Sequence, residues 1–500
     1  MSGRVRNAKR NIVFAVLSRV VGILFPFVIR TVMLYILGSE YLGLDSLFAS
    51  ILNFLSLAEL GVGSALVYSM YKPIARDDAD QICALLKLYR KLYRIIGAVI
   101  LSVGVALIPL LPKLVKGDCP PDVNLYVLYL VYLSNTVLSY WLFGYKRSLL
   151  SAHQRSDIDS KCWTMVQTGM YLVQIAALFV FHNYYWYILW LPVFTVVSNL
   201  VISRVTDKLY PEYKCRGEVA PEQQKEIQKK VAALFGTKAN SIVLHAMDNI
   251  VISAFLGLTM VGLYGNYFYI MNAIAGMVNI AYFSMTAGIG NSLEVETVEK
   301  NYFDFHVLTF ANFWLISFCS VSLLCLYQPF MKIWVQEKNM LDMLVVVLLV
   351  VYFYVYQIRR VVITYKDAAG VWWEDRYRPY IVMVVNLVGN FVMVQFIGIY
   401  GVILSTIISM LVSIPIENYT VFKYIFNKSS RSFYLTNLLY VGLTVGLCTL
   451  TYWICTFAPG GILGLIVRGL ICLVVPNAVI VLLFRKTKEF RHARKLLLIH

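Results

Sequence analysis

Fourteen runs of predominantly apolar residues, each 19 to 27 long, follow one another along this chain: 11–37, 46–70, 89–112, 124–149, 162–182, 184–204, 238–257, 261–286, 305–327, 341–363, 379–397, 399–419, 434–457 and 461–484. A helix needs about 20 such residues to cross a hydrocarbon layer roughly 30 Å thick. Lipid offers no hydrogen bonds to the backbone, so segments of this length are satisfied there only as helices. The 500 residues are 59% hydrophobic and 14% charged, with a mean hydropathy of +0.70, more apolar surface than a soluble core shields from water. The sequence predicts an all-α polytopic membrane protein with 14 transmembrane helices.

Charge placement supports that count. Of the 44 Lys and Arg residues, 37 fall in or beside the segments on one side of the alternating spans. Lys113, Lys116, Lys332 and Lys338 fall on the other side, and Arg19, Arg30 and Arg468 lie within spans. Lys and Arg are retained on the cytoplasmic side, which predicts cytoplasmic N- and C-termini. The net charge of +17 then describes a rim facing anionic lipid, not a nucleic-acid site. The loop after Ala287 departs from the trend, with Glu294, Glu296 and Glu299 around a single Lys300. The basic start MSGRVRNAKRN leads into a run too long for a signal peptide and without a small-residue cleavage site, so it is expected to stay as the first helix. The nine cysteines have no CxxC spacing and suggest neither a disulfide framework nor a zinc site.

LGSEYLGL at 37–44 and LGLTMVGL at 256–263 close the first and seventh runs with the same glycine-leucine pattern. Six crossings separate them, an even number that gives both the same direction. This predicts two parallel, pseudo-symmetric six-helix lobes plus a C-terminal two-helix hairpin. The boundaries are an N-lobe at 1–205, a cytoplasmic linker at 206–237 with a surface helix near 221–235, a C-lobe at 238–420, helices thirteen and fourteen at 421–484, and a basic tail at 485–500.

After each repeat comes a polar stripe: Asn53, Ser56, Glu59 and Gly63 in the second span, and Asn266, Tyr269, Asn272, Gly276 and Asn279 in the eighth. Such stripes either line a cavity or join helices by hydrogen bonds. Mid-span charges are harder to accommodate, because even a lenient scale puts their cost at roughly 2.5–3.5 kcal/mol. They are Arg30, four residues after Pro26, Glu59, Asp248 with His245 one turn before it, and Arg468. The alternatives are an aqueous cavity or a buried ion pair such as Arg30 with Glu59 or Asp248.

Residues 27–75, from FVIRTVMLYILGSEYLGLDSLF onward, resemble the N-terminal signature of Wzx-type polysaccharide repeat-unit flippases, in the polysaccharide transporter branch of the multidrug/oligosaccharidyl-lipid/polysaccharide exporter superfamily. YKDAAGVWWEDRYRPYIVMVVNLVGN at 365–390, and Asp248 followed by the VGLYGNY segment, add to the resemblance. It implies a bacterial plasma-membrane flippase for undecaprenyl-diphosphate-linked oligosaccharide, working by alternating access, with the polyprenyl tail in a groove near helices thirteen and fourteen. A polysaccharide polymerase and assembly proteins are the partners it suggests besides membrane lipids. The chemistry of the residues suits that substrate. A guanidinium gives phosphate two parallel charge-assisted hydrogen bonds, so Arg30 is the candidate for the diphosphate, with Asn53, Glu59, Asn266, Tyr269 and Arg468 as further substrate-binding candidates.

Asp248, Glu59 and His245 are candidates for Na+ or H+ coupling; no cofactor is expected otherwise. Asp367, Glu374, Asp375 and Arg376 are either a cytoplasmic gate or part of an interfacial anchor with two tryptophans. A multidrug antiporter of that superfamily would share the six-plus-six lobes but usually stops at twelve helices and would favour acidic residues over Arg30, whereas a peptidoglycan-precursor flippase has the same fourteen helices. A polymerase or ligase would need a catalytic outer surface, and the longest outer segments, 113–123 and 328–340, hold no clustered carboxylates or histidines, so the chain is expected not to be an enzyme.

Overall fold

The computed structural model describes residues 2–59, 61–117 and 119–498. They form helices α1 (Ser2–Ile36), α2 (Ser39–Leu55), α3 (Val62–Ala75), α4 (Ala79–Leu107), α5 (Leu125–Trp141), α6 (Arg147–Ala152), α7 (Ser156–Phe181), α8 (Tyr184–Ile188), α9 (Trp190–Leu209) and α10 (Pro221–Leu256). The chain continues through α11 (Leu258–Val295), α12 (Val298–Trp334), α13 (Met343–Ile358), α14 (Arg360–Ala369), α15 (Arg378–Ile397), α16 (Ile399–Val421), α17 (Arg431–Cys455), α18 (Gly461–Phe484) and α19 (Lys488–Leu498). No strand occurs among the described residues.

Twelve helical segments among the described residues are long and apolar enough to cross a membrane, or thirteen when α5 and α6, bent by 50°, are counted as one span. The expected count of fourteen is not reached on these criteria. The seventh run is not among them: α10 carries it, and within it the described stretch Ile242–Leu256 counts as a shorter apolar helix. Nor is the surface helix expected at 221–235 separate: α10 runs unbroken from Pro221 through the seventh run, with Pro221 at its first turn where a missing N–H costs nothing.

The second run, expected as one helix over 46–70, is broken. α2 ends at Leu55, Ser56–Glu59 form a 3-10 turn, and Gly61 starts α3 in the left-handed region at φ 84°. The Ser56 hydroxyl donates to the Asn53 carbonyl at 2.6 Å, which satisfies a backbone acceptor where α2 stops. Elsewhere the ends have ordinary causes. Asp78, Asn124 and Asp342 accept backbone N–H bonds at the starts of α4, α5 and α13. Gly370, at φ 68°, ends α14.

The two glycine-leucine repeats pack on each other. Gly38 (φ 115°) and Gly257 (φ 92°) precede α2 and α11 in the same backbone conformation. A Cβ on Gly43 would sit 2.1 Å from the Leu258 carbonyl oxygen, and one on Gly262 would sit 2.2 Å from the Ser39 carbonyl oxygen. The contact is reciprocal, with each helix start pressing its backbone onto the other's glycine as in small-residue crossings in membranes. It explains why the pattern occurs twice.

The chain forms two compact units, Met1–Gly262 and Leu263–His500. The division falls within α11, beyond the 206–237 linker, and α10 packs on α2 and α3 inside the first unit. In the second unit α12 is the central helix, packed by α13, α17, α18 and α19. Phe313 stacks on Tyr440 with ring centroids 4.1 Å apart. The basic tail is the helix α19, whose Phe490 stacks on Trp314 at 5.5 Å.

Replacing Gly43 or Gly262 by Ala drives a methyl group into backbone that cannot swing away, and is expected to destabilise by about 1–3 kcal/mol. Thermal unfolding of detergent-purified protein checks this. The double variant should lose less than the sum of the two, because both sites share one contact.

Candidate functional site

In the first unit the structural neighbour of Arg30 is a carboxylate that the run boundaries had placed outside the second span. α2 begins at Ser39, so Asp45 lies inside it rather than in a loop. Arg30 is its cationic electrostatic neighbour. Tyr132 from α5 donates to Asp45 at 2.5 Å, and the Tyr132 and Tyr184 hydroxyls are 2.9 Å apart. Tyr187 also faces Asp45, and all three tyrosines are buried. Four helices, α1, α2, α5 and α8, thus bring one guanidinium, one carboxylate and three phenols together. Opposite charges and hydroxyl donors are what make a charge tolerable at such depth. The signal available in the sequence was the repeat itself: GLDSL continues helically from the glycine contact.

Glu59 lies at the break between α2 and α3, accepting from the Tyr93 hydroxyl at 3.1 Å, and Tyr93 is 3.0 Å from the Tyr89 hydroxyl. A Cβ on Gly63 would stand 2.8 Å from Tyr89 Oη and 3.1 Å from Glu59 Oε1, so this glycine leaves room for the pair. The break also divides the stripe expected along one helix face: Asn53 is exposed on α2, while Gly63 is on α3. Asp248 is buried on α10, and its neighbour Asn249 donates to Ser50 Oγ on α2 at 2.9 Å. The side chain of His245 lies outside the described residues.

In the second unit Asn266 is fully buried, Tyr269 is partly buried and Asn272 is exposed. Their neighbour Tyr267 makes the contacts that fasten α11. Its hydroxyl donates to Gln328 at 2.9 Å and accepts from the Leu341 N–H at 3.2 Å, while Tyr327 donates to its carbonyl at 2.9 Å. Arg468 caps α17: its three nitrogens donate to the carbonyls of Cys455, Ala458 and Pro459, each at 3.2 Å. It also lines a cavity of about 710 Å³ together with Gln328 and Lys332.

Of the four gate candidates only Asp375 enters a buried cluster. It accepts from Arg378 at 2.9 and 2.8 Å and from Lys366. Arg378 continues to Glu417 at 3.1 Å, and Arg359 grips Glu417 through two bonds of 2.9 and 2.7 Å. Ser413 accepts from both arginines, at 3.0 and 3.1 Å. Three cations thus meet two anions across α13, α14, α15 and α16. Glu417 and Arg359 went unnoticed in the sequence because each lies at the edge of an apolar run and no spacing joins them. Asp367, Glu374 and Arg376 lie outside this cluster. Asp367 accepts from Trp372 Nε1 at 3.1 Å, Glu374 is exposed, and the Arg376 guanidinium lies 4.2 Å from the Trp373 ring centroid and 4.5 Å from that of Tyr377. Trp372 and Trp373 are 59% and 70% exposed, the placement expected of a membrane-interface anchor.

A second cavity, about 570 Å³, is almost wholly apolar. Val351, Tyr354, Leu411 and Val445 from α13, α16 and α17 line it.

Helices long enough to cross lipid, with ion pairs and polar clusters held among them, define a multi-pass membrane protein. Residues 8–286, more than half of the chain, match the family described as polysaccharide biosynthesis protein, and the chain belongs to that family. No curated protein matches it. Among solved structures, the lipid II flippase MurJ in an inward closed conformation is similar over 95% of this chain and 98% of its own, with TM-score 0.68 and 12% identity. The Vibrio cholerae MATE transporter VcmN is similar over 86% and 100%, with TM-score 0.57 and 12% identity. A MOP superfamily transporter from Pyrococcus furiosus matches over 85% and 96%, with TM-score 0.54 and 12% identity. The fold is the one these transporters share, in agreement with the resemblance carried by residues 27–75.

Glu417→Gln leaves two guanidiniums against an uncharged amide, and is expected to destabilise by about 3–5 kcal/mol, the range for breaking a buried pair. The exposed Glu374→Gln should stay within about 0.5 kcal/mol. Melting temperatures of the two purified variants decide.

Proposed function

We propose that this protein is a flippase that moves undecaprenyl-diphosphate-linked oligosaccharide repeat units from the inner to the outer leaflet of a bacterial plasma membrane by alternating access, with both termini cytoplasmic and the exported glycan serving capsule, exopolysaccharide or cell-wall assembly. The observation that carries this reading is the cluster of Asp45 and three buried tyrosines with Arg30 as its cationic neighbour. A diphosphate needs a cation in the membrane, and a guanidinium beside a carboxylate can turn to phosphate oxygens, which accept its charge-assisted hydrogen bonds in pairs. Membership of the polysaccharide biosynthesis family supports a glycan as cargo. The apolar cavity beside α17 is suited to the lipid tail, as its walls offer hydrocarbon almost no polar group to desolvate. In this reading α17 and α18 are the added pair, and Asn53 and Tyr269 are the candidates to meet the sugars.

Asp45 joins Asp248, Glu59 and His245 as a coupling group for H+ or Na+. The membrane potential adds about 2.3 kcal/mol per elementary charge per 100 mV and favours anion export from an inside-negative cell. A second reading, flipping of a peptidoglycan-precursor lipid, is favoured by the higher TM-score to MurJ, 0.68, than to the MATE transporter, 0.57.

Reconstituted vesicles containing fluorescent lipid-linked oligosaccharide or lipid II separate the two readings. Arg30→Gln, with expression and melting temperature confirmed, is expected to reduce flipping and lipid-diphosphate binding at least about tenfold, the loss of one charge-assisted hydrogen bond or more. Unchanged flipping and binding would reject the assignment. Asp45→Asn should preserve binding while making the flipping rate insensitive to collapse of the pH gradient; a gradient response like that of the unaltered protein rules Asp45 out as the coupling group.

A further inference from the structure

Three cysteines that lie far apart in the chain meet inside the second unit. Cys325 comes from α12, Cys455 is the last residue of α17, and Cys472 lies in α18. Their Sγ atoms all lie within 4.8 Å of one another, and each residue is at most 3% exposed. With spacings of 130 and 17 residues from one member to the next, no spacing motif announces them. We infer that the Cys325–Cys455–Cys472 triad is a binding site for a soft, thiophilic d10 metal ion, Cu(I) or Zn(II), which clamps the end of α17 and α18 onto α12.

The geometry fits three-sulfur coordination. With metal–sulfur bonds of about 2.3 Å, the ligand sulfurs stand about 3.8 Å apart around a tetrahedral centre and about 4.0 Å apart around a trigonal one. Sulfurs already within 4.8 Å of one another need only side-chain adjustment to reach either arrangement. Thiolate is the donor for which soft ions have the strongest preference, and an all-sulfur set excludes Mg2+ and Ca2+, which take oxygen.

The surroundings supply what a metal site requires beyond its ligands. Cys325 and Cys455 also line the cavity of about 710 Å³, which gives a route inward and room for a water as a fourth ligand to zinc. The same cavity is lined by Arg468 and Lys332, cations that offset the excess negative charge of three thiolates around one ion. Arg468 is one turn before Cys472 on α18 and donates to the Cys455 carbonyl at 3.2 Å, so one side chain fixes two of the three ligand backbones relative to each other. Binding replaces up to three thiol protons by one ion, and the protons leave through the cavity. Small apolar side chains would fill a helix crossing equally well. Among the described residues this is the one group of three metal-ligating side chains so close together.

The test uses full-length protein purified in detergent under reductant and titrated with Cu(I) against a chromogenic chelator and, separately, with Zn(II). One equivalent is expected for at least one ion, with X-ray absorption giving three sulfur neighbours at about 2.3 Å. The melting temperature should rise with bound metal, and chelation should reverse the rise. Cys472→Ser and Cys325→Ser should each weaken binding by more than the roughly 10–100-fold that loss of an outer-shell partner costs. Cys162→Ser, in the other unit, should not change it. The metal-free melting temperature of each variant identifies those that fold. Should the serine variants misfold, the sulfur count and the chelator-reversible stabilisation of the unaltered protein stand as the deciding measurements. Substoichiometric binding, coordination by nitrogen and oxygen alone, or equal affinity in a folded Cys472→Ser variant overturns the proposal. So does a disulfide between two of the three cysteines in protein isolated without reductant.

Discussion

Everything polar in this protein answers to the cost of removing charge from water without a partner. A helix in lipid satisfies its own backbone, so the remaining demand falls on the few charged side chains and on the places where a helix stops. Arg30 has Asp45 as its counter-charge, and Glu59 accepts from Tyr93. Arg359 and Arg378 share Glu417, and Arg468 turns inward to the carbonyls that α17 leaves open at its end. Low dielectric makes each match strong once formed and each mismatch expensive. That is why the charged groups are few and occur as clusters spanning several helices. The clusters in turn decide which helices are neighbours, since apolar faces discriminate little between one lipid-like surface and another.

Much of the architecture was legible in the sequence because its period and length are imposed by the membrane rather than by contacts. Most of each apolar run lies on helix, and the glycine-leucine repeats, expected to close the first and seventh helices, stand at the junctions where α1 gives way to α2 and α10 to α11. What the pattern could not contain was continuity. Hydropathy averages over Leu60 and Gly61, so the break after Glu59 was invisible although Gly61 is what permits it. Conversely, the charged stretch before residue 238 hid the fact that α10 passes from polar to apolar residues without interruption.

The candidate sites were legible in proportion to how far each charge stands from the end of its run. Arg30 was conspicuous because hydrocarbon-like sequence surrounds it on both sides. Asp45 and Glu417, both held in polar contacts, were missed because each sits beside a boundary where a charge is unremarked. The KDAAGVWWEDRYR segment divides along the same line. Its tryptophans are exposed, while Asp375 and Arg378 turn inward, Arg378 reaching a carboxylate more than thirty positions away, which no local pattern encodes.

The uninterrupted course of α10 has a mechanical consequence. At 1.5 Å per residue, its 36 residues make a rod about 54 Å long, with Glu222 near one tip and Asp248 toward the other. A pivot of about 10° at the apolar tip sweeps the polar tip through about 9 Å, since a rod of that length turns small rotations into large arcs. Any rearrangement felt at Asp248 is thus geared up and broadcast beyond the bilayer by leverage alone.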